Sequence, residues 1–288
     1  MKKDTDLSGK KLLTVLAHPD DETFGMGGTL ARYARQGVDV YLVCATRGEV
    51  GEIDPHYKET IKSAACLRTQ ELRCALDVLG VRNLHFLNYR DSGMPGSEAN
   101  HHFNALAAQP LDQVAEQVAH LIRQVRPEVV VTFDPIGGYH HPDHIAIQRA
   151  TVLAFELAAS PAFDDPEGLP PFQPEKLYFH LIERTFLRGV VWVLRLLGKN
   201  PRELGRNKDI DLVAITDVDF PTHVKIDIRP VRKVQQEAAA CHASQGGAEM
   251  NKGFRGFVAR LFGGHHETYM QAYPEPEQGA KMKRDLFD

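Results

Sequence analysis

The chain has 288 residues, of which 43% are hydrophobic, and it carries a formal net charge of −4. This length can supply the core of a single α/β domain, whereas the mildly acidic charge gives no electrostatic reason to expect a nucleic-acid partner. No apolar run approaches the roughly 20 residues of a membrane span, and the N-terminus, MKKDTDLSGKK, lacks the apolar stretch of a secretory signal.

The first half of the chain alternates short apolar runs with helical patterns. The apolar runs are typical of buried parallel strands and cover Leu12–Ala17, Val40–Ala45, Leu84–Leu87 and Val129–Phe133. The helical patterns cover Phe24–Gln36, about Tyr57–Leu79, Leu111–Val125 and His144–Ala158. This alternation predicts an α/β fold with a Rossmann-like, mostly parallel sheet and helices on both faces. In such sheets, ligands bind outside the carboxyl ends of the strands.

The C-terminal third is less regular and decorates this core. After a proline-rich acidic loop, further strands are predicted at Lys176–Ile182 and Val224–Ile228, and a helix at Pro230–Ala243. The tail from Gly246 is rich in glycine and charge, so we expect it to become ordered only against a partner or substrate. We predict one domain over 1–288, with a core over about 10–155, a variable insertion or lid over 156–222, and a C-terminal strand, helix and tail over 223–288.

Four cysteines are scattered along the chain and form no C-x-x-C pair: Cys44, Cys66, Cys74 and Cys241. We interpret them as small core residues in a reducing compartment and not as a disulfide framework or a zinc knuckle. Together with the missing signal and membrane span, this predicts a cytoplasmic location.

Two turns that contain His-Pro-Asp follow strands far apart in the sequence. The first is VLAHPDDETFG at 15–25, and the second is TFDPIGGYHHPDHIAIQ at 132–148. Adjacent carboxylates repel one another, so a bound dication explains the first turn better than an ordinary surface turn does. Helix capping would use only one aspartate and would leave the histidines unexplained. The side chains that could bind a metal are His18, Asp20, Asp21, His141 and His144.

These residue types predict a catalytic metal site. His18 and Asp21, three residues apart at a helix start, supply half of it, and the histidines of the second turn supply the rest. Three nitrogen and oxygen ligands that leave one position open are typical of catalytic zinc, and iron(II) suits such a set as well. Only one of Asp20 and Asp21 has to bind the metal, so the other is free to take a proton from water.

The two motifs resemble those of the PIG-L/LmbE-like zinc-dependent N-deacetylases, which remove acetyl from N-acetylglucosaminyl compounds. The resemblance covers most of 10–155 and one later helix. Its supporting segments are ATRGEVGE at 45–52, LRTQELRCALDVLGV at 67–81, LNYRDSGM at 87–94 and KVQQEAAACHASQ at 233–245.

The resemblance implies which residues bind the metal and which acts as base. The zinc ligands would be His18, Asp21 and His144, and Asp20 would be the general base. The reaction would be hydrolysis of an acetamide on an N-acetylglucosaminyl-type substrate, with release of acetate and a free amine. The expected partner is therefore a small amino-sugar conjugate.

The resemblance also implies roles for four residues around the metal. His141 would be an imidazolium that stabilises the oxyanion and protonates the leaving amine, with Asp143 fixing its tautomer and charge. Tyr139 would help to bind the oxyanion, and Arg47 would contact the substrate.

Other functions stay open at this point. The same site could hydrolyse a larger amide, such as a thiol conjugate, or the protein could be a non-catalytic sugar- or nucleotide-binding module. The second carboxylate, Asp20, argues against a binding module because binding alone does not need it. A membrane-associated scaffold would have no reason to bind stoichiometric metal.

Several further motifs have structural interpretations. Arg68 and Glu71, three apart on a helix, are expected to form an exposed ion pair. His242 is interpreted as a satisfied helix histidine. The segment GMGGTL at 25–30 lacks the third glycine of a phosphate-binding loop, so its glycines are expected to serve close packing.

The segment RTFLRGVVWVLRLLGK at 184–199 is predicted to be a basic amphipathic helix. Its four basic residues fall within a narrow wedge, and apolar residues cover most of the remaining circumference. A helix in the core or at a homo-oligomer interface, with one solvated face, is the favoured interpretation, and the alternative is a helix that lies on anionic lipid or forms a lid over an amphiphilic substrate.

Overall fold

The computed structural model describes residues 6–51, 63–182, 184–203, 211–247 and 265–288. Within these ranges the strands form one seven-stranded sheet with the order β3-β2-β1-β4-β5-β7-β6. The strands are β1 (Lys11–Leu16), β2 (Asp39–Cys44), β3 (Asn83–Phe86), β4 (Val129–Phe133), β5 (Lys176–Leu181), β6 (Val224–Asp227) and β7 (His266–Tyr273).

The sheet is accompanied by the helices named next, and five of these helices pack in two groups. The helices are α1 (Asp21–Arg35), α2 (Ala64–Leu79), α3 (Leu111–Val125), α4 (Pro142–Ala159), α5 (Arg184–Leu196), α6 (Leu212–Thr216) and α7 (Arg232–Cys241). α1 and α2 pack against α7, while α3 packs against α4. From β1 the chain moves along the sheet to β2 and β3, and from β4 it moves in the opposite direction to β5. Because crossovers between parallel strands are right-handed, the two groups of helices lie on opposite faces of the sheet. The predicted fold class is confirmed; the part of the predicted second helix from 57 to 62 lies outside the described residues.

The order of the strands creates a crevice next to β1. The first five strands are parallel, and the chain leaves β1 toward β2 and β3 before it returns to pair β4 with β1. Ligands bind at the carboxyl ends of strands where the order reverses in this way. Both His-Pro-Asp turns follow the two strands that flank this crevice.

The C-terminal tail contributes an interior strand of the sheet, next to its edge. β7 pairs antiparallel with both β5 and β6, and Tyr269 and Leu286 are fully buried. The expectation that the tail becomes ordered only against a partner is therefore wrong for residues 265–288, while 248–264 lie outside the described residues. The strand was missed because glycine and charge around it hid a short run of β-forming residues, HETYMQAY.

The segment GMGGTL at 25–30 contains a kink in α1. Met26 has non-helical backbone angles (φ −149°, ψ 22°), so the helix restarts there and the N–H groups of Gly28 and Thr29 need acceptors. Both carboxylate oxygens of Glu267, on β7, accept from them, at 2.9 Å and 2.7 Å. A Cβ at Gly28 would lie 2.5 Å from Ile228 Cγ2, so the predicted close packing is confirmed.

A disulfide joins Cys74 on α2 to Cys241 on α7, while Cys44 and Cys66 are free. The expectation that no cysteine is in a disulfide is wrong for this pair. The two residues are 167 positions apart, and only the packing of α2 against α7 brings them together. None of the helices in the described ranges is long and apolar enough to cross a bilayer.

Candidate active site

A cleft of about 470 Å³ opens at the carboxyl ends of the central strands. The turn after β1, the loop after β3 and the turn after β4 supply its walls. Its polar lining includes His18, Asp20, Arg68, Asp91, Tyr139 and His141.

Beside His18, which lines this cleft, donor atoms from three side chains lie close together. His18 Nδ1 lies 3.2 Å from His144 Nε2, and the two carboxylate oxygens of Asp21 lie 3.5 Å from His18 Nδ1 and 3.3 Å from His144 Nε2. Tetrahedral zinc with bonds of about 2.0–2.2 Å keeps its ligands roughly 3.3–3.6 Å apart. The spacing of the two nitrogens and of the Asp21 carboxylate therefore suits a single ion.

The two His-Pro-Asp turns thus meet in one buried cluster. His18, His141 and His144 also have potential ligand atoms within 4.8 Å of one another, as do His18, Asp91 and Asp143. All three histidines are buried. Imidazole nitrogens and carboxylates gathered in this way are suited to hold a divalent metal.

The second nitrogen of each of two imidazoles is held by an acceptor. His18 Nε2 lies 3.1 Å from Asp143 Oδ2, and His144 Nδ1 lies 3.2 Å from the carbonyl oxygen of Gly137. Such contacts set the tautomer, so His18 Nδ1 and His144 Nε2 are left free to bind a metal. Asp143 is fully buried and also accepts hydrogen bonds from the backbone N–H, at 2.8 Å, and the hydroxyl of Ser92.

The contacts of Asp143 differ from those that the resemblance implied. Its carboxylate was expected to orient His141 but faces His18, and it is the backbone N–H of Asp143 that donates to His141 Nδ1, at 3.2 Å. Burial, reinforced by the nearby His18 and His144, lowers the pKa of His141 well below its usual value. The contacts therefore favour a neutral ring with its proton on Nε2, where an imidazolium was expected.

Asp20 lies beside the metal-binding cluster with partners of its own. It has a strained backbone (φ 120°), which is sparsely populated by residues other than glycine. Its N–H donates to Glu22 Oε2 at 2.9 Å, and its carboxylate lies 3.2 Å from Arg68 Nη2. Burial raises the pKa of Asp20 to about 6, although the charge of Arg68 opposes this.

Arg68 and Glu71 are buried, so the predicted exposed ion pair is wrong. Arg68 donates to the carbonyl oxygen of Pro19 at 2.7 Å as well as facing Asp20. Glu71 accepts from the backbone N–H and the hydroxyl of Ser244, at 2.7 Å and 2.6 Å. Helical spacing predicts that two residues share a face, but whether another helix covers that face depends on tertiary packing.

His242 and Asp91 complete the surroundings. His242 Nε2 lies 2.8 Å from Glu22 Oε1, and both side chains are fully buried. The Nε2 of His242 is thus paired with a residue of the first His-Pro-Asp turn, whereas its Nδ1 is buried and has no hydrogen-bond partner among the described residues. The prediction of a satisfied histidine is therefore confirmed for Nε2 and wrong for Nδ1. Asp91, which residue-level reasoning did not single out, has Oδ1 3.5 Å from His18 Nε2; the aspartate of the RDSG segment was the available signal.

Tyr139 and Arg47 have different positions. Tyr139 follows two glycines with positive φ (64° and 68°) and lines the cleft, with its ring centroid 5.9 Å from that of His141. Arg47 does not line the cleft. Its guanidinium lies 3.8 Å from the centroid of the Phe86 ring and donates to Asn88 Oδ1 at 3.0 Å, so contact with substrate stays a prediction.

Comparison with known proteins identifies a matching family and relatives in sequence. Residues 13–155 match the PIG-L family, described as GlcNAc-PI de-N-acetylase. The chain is 37% identical over 292 residues to 1D-myo-inositol 2-acetamido-2-deoxy-alpha-D-glucopyranoside deacetylase of Streptomyces avermitilis, and the match covers 98% of each chain.

Solved structures resemble the fold. N,N'-diacetylchitobiose deacetylase from Pyrococcus horikoshii has a TM-score of 0.62 at 21% identity and covers 91% of this chain and 83% of its own. The 4-carboxy-2-hydroxymuconate hydratase GalB from Pseudomonas putida has a TM-score of 0.60 at 17% identity and covers 94% of this chain and 100% of its own. A deacetylase and a hydratase share the architecture, so the fold alone does not define the reaction. The 37% identity to the Streptomyces deacetylase extends over nearly the full length of both chains. Together with the family match over the core, it establishes that the chain belongs to the PIG-L family.

Proposed function

We propose that the protein is a metal-dependent N-deacetylase that hydrolyses the acetamide of an N-acetylglucosaminyl conjugate and releases acetate and a free amine. The observation that carries this proposal is the group of donor atoms from His18, Asp21 and His144, 3.2–3.5 Å apart, with a separate carboxylate, Asp20, in the same cleft. The name of the Streptomyces relative supports a glucosaminyl group linked to inositol as the substrate class.

His18, Asp21 and His144 would hold the metal. Zinc fits their two nitrogens and one carboxylate, and iron(II) suits the same set. When bound, the metal would polarise the acetyl carbonyl and make a water molecule more acidic. Three protein ligands leave room for water and substrate.

The remaining chemistry belongs to residues of the cleft. Asp20 takes a proton from the attacking water, and Arg68 holds its carboxylate in place. His141 and Tyr139 donate hydrogen bonds to the oxyanion that develops on the acetyl oxygen. The proton held by Asp20 is then available to the leaving amine; protonation of that amine by His141, which the resemblance implies, stays a prediction.

Measurement of acetate release tests this function. The metal-loaded protein is incubated with N-acetylglucosaminyl-inositol, free N-acetylglucosamine and diacetylchitobiose, with His144→Ala as the control that lacks a metal ligand. We expect acetate from the inositol conjugate, little from the free sugar, and none after chelation of the metal.

The same panel separates the alternatives. Faster cleavage of a thiol-conjugate amide than of any acetamide would favour the amidase. Stoichiometric metal without turnover of any substrate would favour a binding module, and absence of stoichiometric metal would favour a scaffold.

A further inference from the structure

Two adjoining cavities lie along the edge strand β6, and no residue that lines them lines the catalytic cleft. The smaller one, about 290 Å³, lies between β6 and the start of α5. The larger one, about 740 Å³, lies between β6 and the end of α1. They share Lys225 and Met282, and we call the two together the β6 groove.

The β6 groove is strongly cationic. Its lining includes one lysine and six arginines but only two carboxylates. Both carboxylates are used by exposed arginines, since Asp219 lies 2.8 Å from Arg188 and Asp227 lies 2.6 Å from Arg229. The cations that remain are Arg32, Arg35, Arg184, Lys225 and Arg284.

Four of these five cations have no carboxylate partner in the described ranges. Arg32 and Arg35 reach only the backbone carbonyls of Asp227 and Pro230, at 3.4 Å and 3.2 Å. Neither the ammonium of Lys225 nor the guanidinium of Arg284 makes a hydrogen bond or an ion pair with the described residues. Like charges in one concavity repel one another, so the groove attracts anions.

The fifth cation, Arg184, is buried. Its side chain is 8% exposed, and neither Nη1 nor Nη2 makes a hydrogen bond to any part of the chain that the structure describes. Its Nη2 forms a 3.5 Å ion pair with Asp134 Oδ2, which also makes no hydrogen bond within the described ranges, and the guanidinium stacks 4.7 Å from the centroid of the Phe220 ring. Buried arginine nitrogens without a hydrogen bond are rare in folded proteins, so Nη1 and Nη2 can each still donate to an acceptor that a ligand supplies.

We propose that the β6 groove is a binding site for a phosphate-type anion, with Arg184 and Lys225 as its principal contacts. The planar fork of an arginine matches two phosphate oxygens, and a lysine at the junction of the cavities supplies a point charge. The arginines of the larger cavity can accept a second anionic group of the same ligand.

A phosphate group could reach the groove in a soluble ester or as the headgroup of a phospholipid. α5 begins at the smaller cavity, and its exposed residues Trp192, Leu196 and Leu197 would face the acyl chains in the second case. The chemistry that the groove recognises is the same for both sources, so the experiment has an arm for each.

The first arm uses the metal-loaded full chain and calorimetric titration with inorganic phosphate and with sulfate. We expect Lys225→Gln to weaken binding of both anions by roughly ten-fold. Arg73→Gln, which removes an exposed cation on α2, should leave binding unchanged. Arg184→Lys keeps the charge but removes the fork, so it should weaken phosphate binding while the circular dichroism spectrum stays unchanged.

The second arm measures sedimentation with vesicles of phosphatidylcholine alone or with added phosphatidylserine. If the protein binds the anionic vesicles and Lys225→Gln reduces this binding, the lipid headgroup is identified as the source of the phosphate. If the protein binds free phosphate but not the vesicles, a soluble ester is identified instead. The proposal is overturned if the anions bind Lys225→Gln as well as they bind Arg73→Gln, or if neither the anions nor the vesicles bind.

Discussion

Asp20 and Asp21 are neighbours in the sequence but have different partners. Asp21 lies between the nitrogens of His18 and His144, whereas Asp20 faces Arg68. We expect Asp20→Asn to lower kcat/KM by about 10²–10⁴-fold, because it removes the general base, and to leave the metal content unchanged. Asp21→Asn is the matched control and should lose metal. Loss of metal from Asp20→Asn would mean that the two aspartates have exchanged roles.

The pH dependence of the reaction should report on Arg68. Burial raises the pKa of Asp20 to about 6, and Arg68 opposes this rise. A base works only when it is deprotonated, so kcat/KM should increase as the pH rises through this pKa. Arg68→Gln removes the cation that favours the carboxylate, so the increase should move to higher pH. An unchanged pH profile, with Arg73→Gln as control, would contradict the assignment of Asp20 as base.

Asp143 should act on the metal through His18. Its carboxylate lies 3.1 Å from His18 Nε2 and sets the tautomer of that ring. Loss of such a contact typically weakens metal binding by about 10–100-fold. We expect this loss for Asp143→Ala and a smaller one for Asp143→Asn, measured by competition with a chelator. Equal metal affinity in all three proteins would exclude this role.

At the scale of elements, the disulfide between α2 and α7 should stabilise the layer that carries Arg68, Glu71 and His242. Cross-links of this kind contribute about 2–4 kcal/mol to the free energy of unfolding. We expect Cys241→Ser to lower the free energy of unfolding in urea by that amount, and Cys66→Ser, at a free exposed cysteine, to leave it unchanged. Equal unfolding midpoints for the oxidised wild type and Cys241→Ser would contradict this.

The amphipathic pattern of 184–199 predicted helix α5, but it did not predict whether the apolar face of this helix is covered or exposed to solvent. Trp192, Leu196 and Leu197 are 64%, 66% and 64% exposed, whereas Arg184 turns inward. Residue periodicity could not show this, because the inward turn depends on Asp134 and Phe220 of other segments. The predicted subunit or lipid contact and the homo-oligomer stay predictions, and light scattering with and without vesicles would distinguish them.

At the scale of the whole molecule, protonation of Glu267, on strand β7 of the tail, makes the free energy of unfolding depend on pH. Burial raises its pKa from 4.5 to about 7, even though the backbone of α1 donates to it. Between these pH values the native state keeps a proton that the unfolded chain has lost, so the free energy of unfolding decreases as pH rises, by up to about 3 kcal/mol.

Glu267→Gln should remove this dependence. We expect urea unfolding of the variant to vary less between pH 4.5 and 7 than that of the wild type. Glu275→Gln, at an exposed position of the tail, is the control and should behave like the wild type. A wild-type slope in Glu267→Gln would show that other groups cause it.

The sequence by itself determined the parallel α/β core and the two His-Pro-Asp turns at strand ends, because strand and helix periodicities and short motifs are local properties. Tertiary structure decided that Asp143 serves His18, that Arg68 faces Asp20, that Cys74 joins Cys241 and that the tail supplies β7. Each of these depends on which distant segments pack together, and residue spacing along one segment does not contain that information.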